Sequence, residues 1–229
     1  MTRMPSTARP DRAVRRRTAL ALLLGLVLAL PFARPAMADP KAAESFIEDL
    51  ALRVLNILND TTIDETTRAS RFSDVFLSNI ALKSFGRSAL GPYARVATPE
   101  ELEAYYDLLE VYAVQTMQIR LGQFADSTVV VTSATEKAQG ETTYTFVESD
   151  VREPGGTREA GVTWVLISQD GSSFKIYDIN VVTPGESGSF SLLETQRAEF
   201  TSVIANNGRK ISALLDFLRT EIDRTSAAG

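Results

Sequence analysis

The stretch STVVVTSATEKAQGETTYTFVESDVREPGGTREAGVTWVLISQDGSSFKIYDINVV, residues 127–182, decides the fold. Its hydrophobic period is two, and it is rich in the β-branched and aromatic residues that suit a pleated surface. Strands are predicted over 127–135, 141–152, 160–168 and 173–182. Pro154-Gly155-Gly156-Thr157 reads as the loop of one hairpin and Asp170-Gly171 as the tight turn of the next. Strands joined this closely pair antiparallel. Strand 160–168 is apolar on both parities, with Val162, Trp164 and Leu166 on one and Val165 and Ile167 on the other. Two readings follow: a central strand covered by protein on both faces, or one face covered partly by a ligand.

Working outward, helical signals occupy the chain on either side. Asp39-Pro40 is a cap followed by Pro at the first helical position, and Phe46, Leu50, Val54, Ile57 and Leu58 recur behind it at helical spacing. Thr62-Ile63-Asp64-Glu65 has the form of a capping box, with Phe72, Val75, Phe76 and Ile80 as the stripe that follows. Leu90-Gly91-Pro92 ends a short helix, and Thr98-Pro99-Glu100-Glu101 opens a long one running to about Leu121. Beyond the strands, residues 183–188 form a loop and Ser191-Leu192-Leu193-Glu194 is a third capping box. Helices are predicted at about 191–206 and 209–222, divided by Gly208. Helices, then strands, then helices is an α+β order.

Residues 1–38 read as an address rather than as fold. Six Arg precede a run of small and apolar residues from Ala19 to Leu30. Pro31 breaks the run, and Ala36-Met37-Ala38 suits signal peptidase. The run is shorter than the roughly 20 residues a spanning helix needs. Export as a cleaved signal peptide is expected, by the general route or the twin-Arg one, leaving 39–229 as a single mature domain. Removing seven Arg and one Asp with the leader takes the formal charge from −5 for the whole chain to −11. Such a surface repels nucleic acid, and anionic head groups do not attract it in bulk.

The 229 residues contain neither Cys nor His. That excludes a Ser-His-Asp triad, a thiol nucleophile and a thiolate metal site, and no cofactor or metal is expected. Glu100, Glu101 and Glu103 fall in the first turn of the long helix, where negative charge is stabilised by the helix dipole; Asp64 and Glu65 have the same explanation. No motif for Ser-Lys catalysis or phosphate cradling is present. An enzyme is not expected. Arg197 lies among Leu193, Phe200 and Ile204 on one helical stripe, and Asp178 shares a strand parity with Ile176 and Val182. A guanidinium on such a stripe needs a partner. Either Arg197 pairs with an acid such as Asp178, or it meets a phosphate at a cavity mouth.

Several segments resemble the MlaC (toluene-tolerance) family. They are Leu90-Gly91-Pro92-Tyr93-Ala94-Arg95, Thr98-Pro99-Glu100-Glu101 with Tyr112-Ala113 behind it, Lys175-Ile176-Tyr177-Asp178, and Ser191-Leu192 with Arg197, Phe200 and Gly208. The resemblance spans roughly residues 41–222. It implies a curved antiparallel sheet of about four strands, packed by N- and C-terminal helices around an apolar lipid pocket with the head group near its mouth. The implied function is that of a monomeric periplasmic phospholipid carrier. It would shuttle lipid between an outer-membrane lipoprotein–porin complex and an inner-membrane ABC transporter bearing an MCE-domain protein, maintaining outer-membrane lipid asymmetry. A relative associated with hopanoid synthesis is the alternative within the family. A small-molecule enzyme on a cone-shaped α+β scaffold is the alternative outside it.

The physical need for such a carrier stands apart from the resemblance. Two acyl chains hold about 30 methylenes, and at roughly 0.8 kcal/mol each their exposure costs on the order of 24 kcal/mol. The candidate pocket residues are Val111, Tyr112 and Val114 on the long helix with Trp164, Leu166, Tyr177, Ile179 and Val181 on the sheet; Arg197 is a structural or head-group candidate.

Overall fold

The computed structural model describes residues 39–228, apart from 140–141, 169–172 and 186–187. The leader and the predicted Asp170-Gly171 turn lie outside the described residues. Helices α1 (Pro40–Leu58), α2 (Glu65–Asn79) and α3 (Leu82–Ala89) lead through a 3-10 turn (Gly91–Arg95) to α4 (Pro99–Gly122). Strands β1 (Thr128–Gln139), β2 (Thr142–Arg152), β3 (Arg158–Ser168), β4 (Phe174–Val182) and β5 (Phe190–Ser191) follow, and α5 (Leu192–Asn206) and α6 (Ile211–Ala228) close the chain. The sheet is open, antiparallel throughout and ordered β1-β2-β3-β4-β5. The predicted α+β class is the observed one. The short fifth strand is an addition: two residues carry no periodicity that a sequence pattern can register.

The caps explain where several helices begin. At α4 the capping box forms in full, with the Glu101 N–H donating to Thr98 Oγ1 (3.2 Å) and the Thr98 N–H to Glu101 Oε2 (2.9 Å). The one expected at Thr62 does not form. Asp64 caps α2 instead, accepting from the Thr67 N–H at 2.8 Å, and Thr62 Oγ1 donates to Asp60. Asp64 is the cap and Glu65 the first helical residue, so Glu65 stands two positions too early to reach back. At α5 only half the box is present. Ser191 Oγ accepts from the Glu194 N–H at 3.0 Å, while the Glu194 carboxylate turns to Arg197. The last helix starts at Ile211 and runs to Ala228, six residues past its predicted end.

Bulges curve the sheet and set its faces. An extra residue interrupts the ladder between Val131 and Ser133 on β1, between Arg158 and Ala160 on β3, and between Ile176 and Asp178 on β4. Each bends its strand and adds local twist. The third has the largest consequence. Val165 pairs with Asp178 and Leu166 with Ile176, so Tyr177 is the extra residue and the parity of β4 changes there. The sequence reading placed Asp178 with Ile176 on one face. The bulge puts them on opposite faces, and Ile179 and Val181 join Ile176.

Freed from that face, Asp178 holds the start of α5. Its Oδ2 accepts from Ser191 Oγ (2.7 Å), and its Oδ1 accepts from the N–H groups of Leu193 (2.9 Å) and Ile179 (2.8 Å). One carboxylate thus satisfies a helix-start amide and fixes α5 to β4.

The interior has two main parts. Between the helices, Tyr105 and Leu109 of α4 pack with Phe85 and Ala89 of α3, Phe200 and Ile204 of α5, and Leu214 and Leu218 of α6. The ring of Tyr105 meets Phe200 edge-on at 6.0 Å. Under α1, the residues Ala43, Ile47 and Leu50 pack onto Val147, Leu166, Phe174 and Ile176 of the sheet. Helix α4 has its first half in the helical core, while Met117 and Leu121 near its end line a cavity over the sheet.

Replacing Asp178 by Ala is expected to destabilise the protein by about 1–3 kcal/mol, because three donors lose their acceptor at once. Urea titration followed by circular dichroism reads this directly. A second expectation concerns pH. Burial pushes the Tyr105 hydroxyl well above its ordinary value, and it donates to the Gly86 carbonyl at 3.1 Å. Its folded pKa lies above the unfolded one, so its contribution is intact below about pH 10 and declines as pH rises beyond that. Thermal melts should show an alkaline loss of stability that Tyr105→Phe reduces.

Candidate functional site

The sheet face that carries Leu166 is only half filled. At one end α1 closes down on Val147 and Leu166. At the other, α1, α2 and the end of α4 stand off from the sheet and enclose a cavity of about 460 Å³. This volume falls within the roughly 300–1,000 Å³ usual for small-molecule sites. The floor is Val129 of β1, Val151 of β2, Ala160, Val162 and Trp164 of β3, and Ile179 and Val181 of β4. Their common face follows from the register: Val129 opposes Val151, Val151 opposes Ala160, Val162 opposes Val181 and Trp164 opposes Ile179.

The roof follows from helical spacing. Ile47, Leu50, Val54 and Leu58 run down one side of α1, and Phe72 and Phe76 stack at 5.8 Å on α2. Met117 and Leu121 of α4 and the adjoining Phe124 complete it. Asn59 Nδ2 donates to the Ala125 carbonyl at 2.6 Å, tying the end of α1 to the turn after α4 and closing that side.

The polar donors away from the rim of this wall are already engaged. Trp164 Nε1 donates to Ser149 Oγ at 2.9 Å, Ser127 Oγ to Glu159 Oε2 at 3.0 Å, and Asn79 Nδ2 to the Val75 carbonyl at 2.6 Å. With these satisfied, the wall offers an occupant chiefly hydrocarbon. Arg120, Gln123, Thr183 and Phe190 line the cavity and are exposed, and they mark where it meets solvent. No aspartate or glutamate lines it among the described residues.

The structure brings together three of the eight sequence-derived pocket candidates: Trp164, Ile179 and Val181. Leu166 shares their face but lies under α1 in solid packing. Tyr177, displaced by the bulge, faces the other way; its hydroxyl is 2.7 Å from Ser88 Oγ and its ring lies 5.7 Å from Tyr144. Val111 is 45% exposed, Tyr112 packs toward Phe200 in the helical core, and Val114 is half-buried outside the cavity wall. The residues here that line the cavity, Met117 and Leu121 of α4 and Phe124 just after it, lie one to three turns further on. Their signal was available, because Met117, Leu121 and Phe124 recur at i, i+4 and i+7.

Arg197 does not meet Asp178. Its Nε donates to the Ser88 carbonyl at 2.8 Å and its Nη1 to Glu194 at 2.9 Å, which pins α5 to α3. It lies outside the cavity wall. Glu100, Glu101 and Glu103 also lie outside it, at the opposite end of α4. Among the described residues no group of three or more Asp or Glu is placed to hold a metal ion, and no helix is long and apolar enough to cross a membrane.

An open antiparallel sheet with one hollowed face, roofed by helices and lined by hydrocarbon, defines a binding protein for an apolar ligand. The family model described as MlaC protein matches residues 48–220, and the chain belongs to that family. Among solved structures it is similar to a phospholipid-binding protein from Ralstonia solanacearum, determined in complex with a phospholipid. The TM-score is 0.63 at 20% identity, covering 80% of this chain and 98% of that one. At that identity the likeness is one of fold. No curated protein matches the chain.

The cavity makes a direct prediction. An apolar naphthylamine dye is expected to bind and brighten, and Ala160→Phe, which directs a ring into the hollow, is expected to weaken that binding at least several-fold. Fluorescence titration of both proteins measures it; equal binding would place the dye elsewhere.

Proposed function

We propose that this protein binds phospholipid, with acyl chain lying between Trp164, Val162, Ile179 and Val181 below and α1, α2 and the end of α4 above. The observation that carries this reading is the enclosed hydrocarbon wall itself. At about 24 cal/mol per Å³ of unfilled space, a hollow of about 460 Å³ corresponds to a cost on the order of 10 kcal/mol. Domains are stable by only about 5–15 kcal/mol, so an occupant that fills the space contributes heavily. Water gains little away from the rim, where the Trp164, Ser127 and Asn79 donors are already bonded within the protein. Membership of the MlaC family and a fold shared with a phospholipid-binding protein support acyl chain as the occupant.

Membership of the MlaC family supports a wider role. We infer that residues 1–38 are a cleaved export signal and that residues 39–229 act as a carrier in the periplasm. The carrier would move lipid between an outer-membrane lipoprotein–porin complex and an inner-membrane MCE-domain ABC transporter. A carrier must release its cargo unaltered, and the cavity wall holds no carboxylate to serve as acid or base among the described residues. A binding and transport role fits these features; catalysis does not.

The decisive experiment is organic extraction of protein purified from a host with normal membranes. Glycerophospholipid near one per chain is expected. Recovery of a hopanoid would redirect the reading within the family, and recovery of no lipid would overturn it. Trp164 is the single tryptophan, so phospholipid with brominated acyl chains should quench nearly all of the intrinsic emission. Val181→Asp sets a charge on the cavity floor and should reduce co-purified lipid at least tenfold while the protein stays folded. Undiminished lipid in that variant would mean the chains lie elsewhere.

A further inference from the structure

A hydrocarbon wall cannot tell a phospholipid from any other amphiphile with the same chains; that distinction must be made where the cavity meets solvent. We propose that Arg120 makes it, by holding the ligand's phosphate, with Gln123 and Thr183 as neutral donors beside it. This assignment rests on the phospholipid reading above and adds to it the group that recognises the head.

Three observations support the assignment. First, Arg120 is the one charged side chain in the cavity wall among the described residues, and it is exposed, so it lies at the rim and not in the depth. Second, it has no ion pair: those among the described residues involve Arg71, Arg152, Arg158, Arg197, Arg219 and Arg224, and within the protein the Arg120 charge acts on the neutral Tyr112 hydroxyl. Third, Gln123 follows it by three residues, just past the end of α4, and Thr183 follows the end of β4; both are exposed and both line the cavity.

The electrostatics select for phosphate at this place. The chain after the leader carries a formal charge of −11, so an anion has little reason to approach the surface in general. At the rim the wall itself contributes a guanidinium and no carboxylate, with Glu159 behind it on Ser127 and Glu194 beyond Thr183 and Phe190. A planar guanidinium presents paired N–H donors that match two phosphate oxygens, which an ammonium does not. Arg197, the phosphate candidate suggested by the sequence, is already bonded to Ser88 and Glu194 and stands outside the wall.

The test uses quenching of Trp164 by two lipids with identical brominated chains, phosphatidylglycerol and diacylglycerol. The unaltered protein is expected to bind phosphatidylglycerol more tightly. Arg120→Gln should weaken phosphatidylglycerol about tenfold, the scale of a lost charge-assisted hydrogen bond, and leave diacylglycerol unchanged. Arg219→Gln removes the same charge from an exposed site on α6 and should change neither. Equal effects of Arg120→Gln on both lipids, no effect on either, or an equal effect of Arg219→Gln would overturn the assignment. Quenching by neither lipid in the unaltered protein would instead overturn the phospholipid reading. Millimolar inorganic phosphate is expected not to compete. Competition by it would show a site for free phosphate and overturn the head-group role.

Discussion

One apolar sheet face is larger than the helix laid across it, and the rest of the structure answers that mismatch. Helix α1 fills the end of the face at Val147, Leu166 and Phe174. Over the Ala160–Val162–Trp164 end, where Phe124 packs, it leaves a cavity. A protein interior normally closes such a gap, since unfilled volume forfeits dispersion contacts on every surrounding atom. Here α2 and the end of α4 bridge over the gap and do not collapse into it.

What holds the bridge up is the helical core on the other side of the molecule. The first half of α4 is fixed among Phe85, Phe200, Leu214 and Leu218, and Tyr105 adds a hydrogen bond to the Gly86 carbonyl. Arg197 joins α5 to α3, and Asp178 joins α5 to the sheet. With its first half anchored this way, α4 projects its last two turns over the cavity. A stiff element supported outside the site can keep a hollow open that local packing would close. The contrast is useful for a carrier: rigidity resides in the helical core, and the hydrocarbon surface contributes shape.

Much of this arrangement was legible in the chain. The change of period at Ser127, the hairpin residues Pro154–Thr157 and the full capping box at Thr98 each specify their element through contacts within a few residues. Local rules misled wherever the outcome depended on one residue more or less. The extra residue at Tyr177 turned both Tyr177 and Asp178 away from the face of Ile176, Ile179 and Val181, and no periodicity test detects one bulge inside nine residues. Likewise Tyr112, a pocket candidate in the sequence, packs on Phe200 at the helical core.

The sequence by itself determined the class of the fold, the order of its elements and the apolarity of both faces of β3, because these depend on side-chain chemistry at short range. It also removed imidazole and thiol chemistry from consideration. Tertiary structure alone decided which of two apolar faces is packed and which is hollow, and at which turn α4 leaves one environment for the other. Filled and unfilled surfaces are made of the same residues. Only the distance to the facing element distinguishes them, and that distance is set by helices anchored elsewhere.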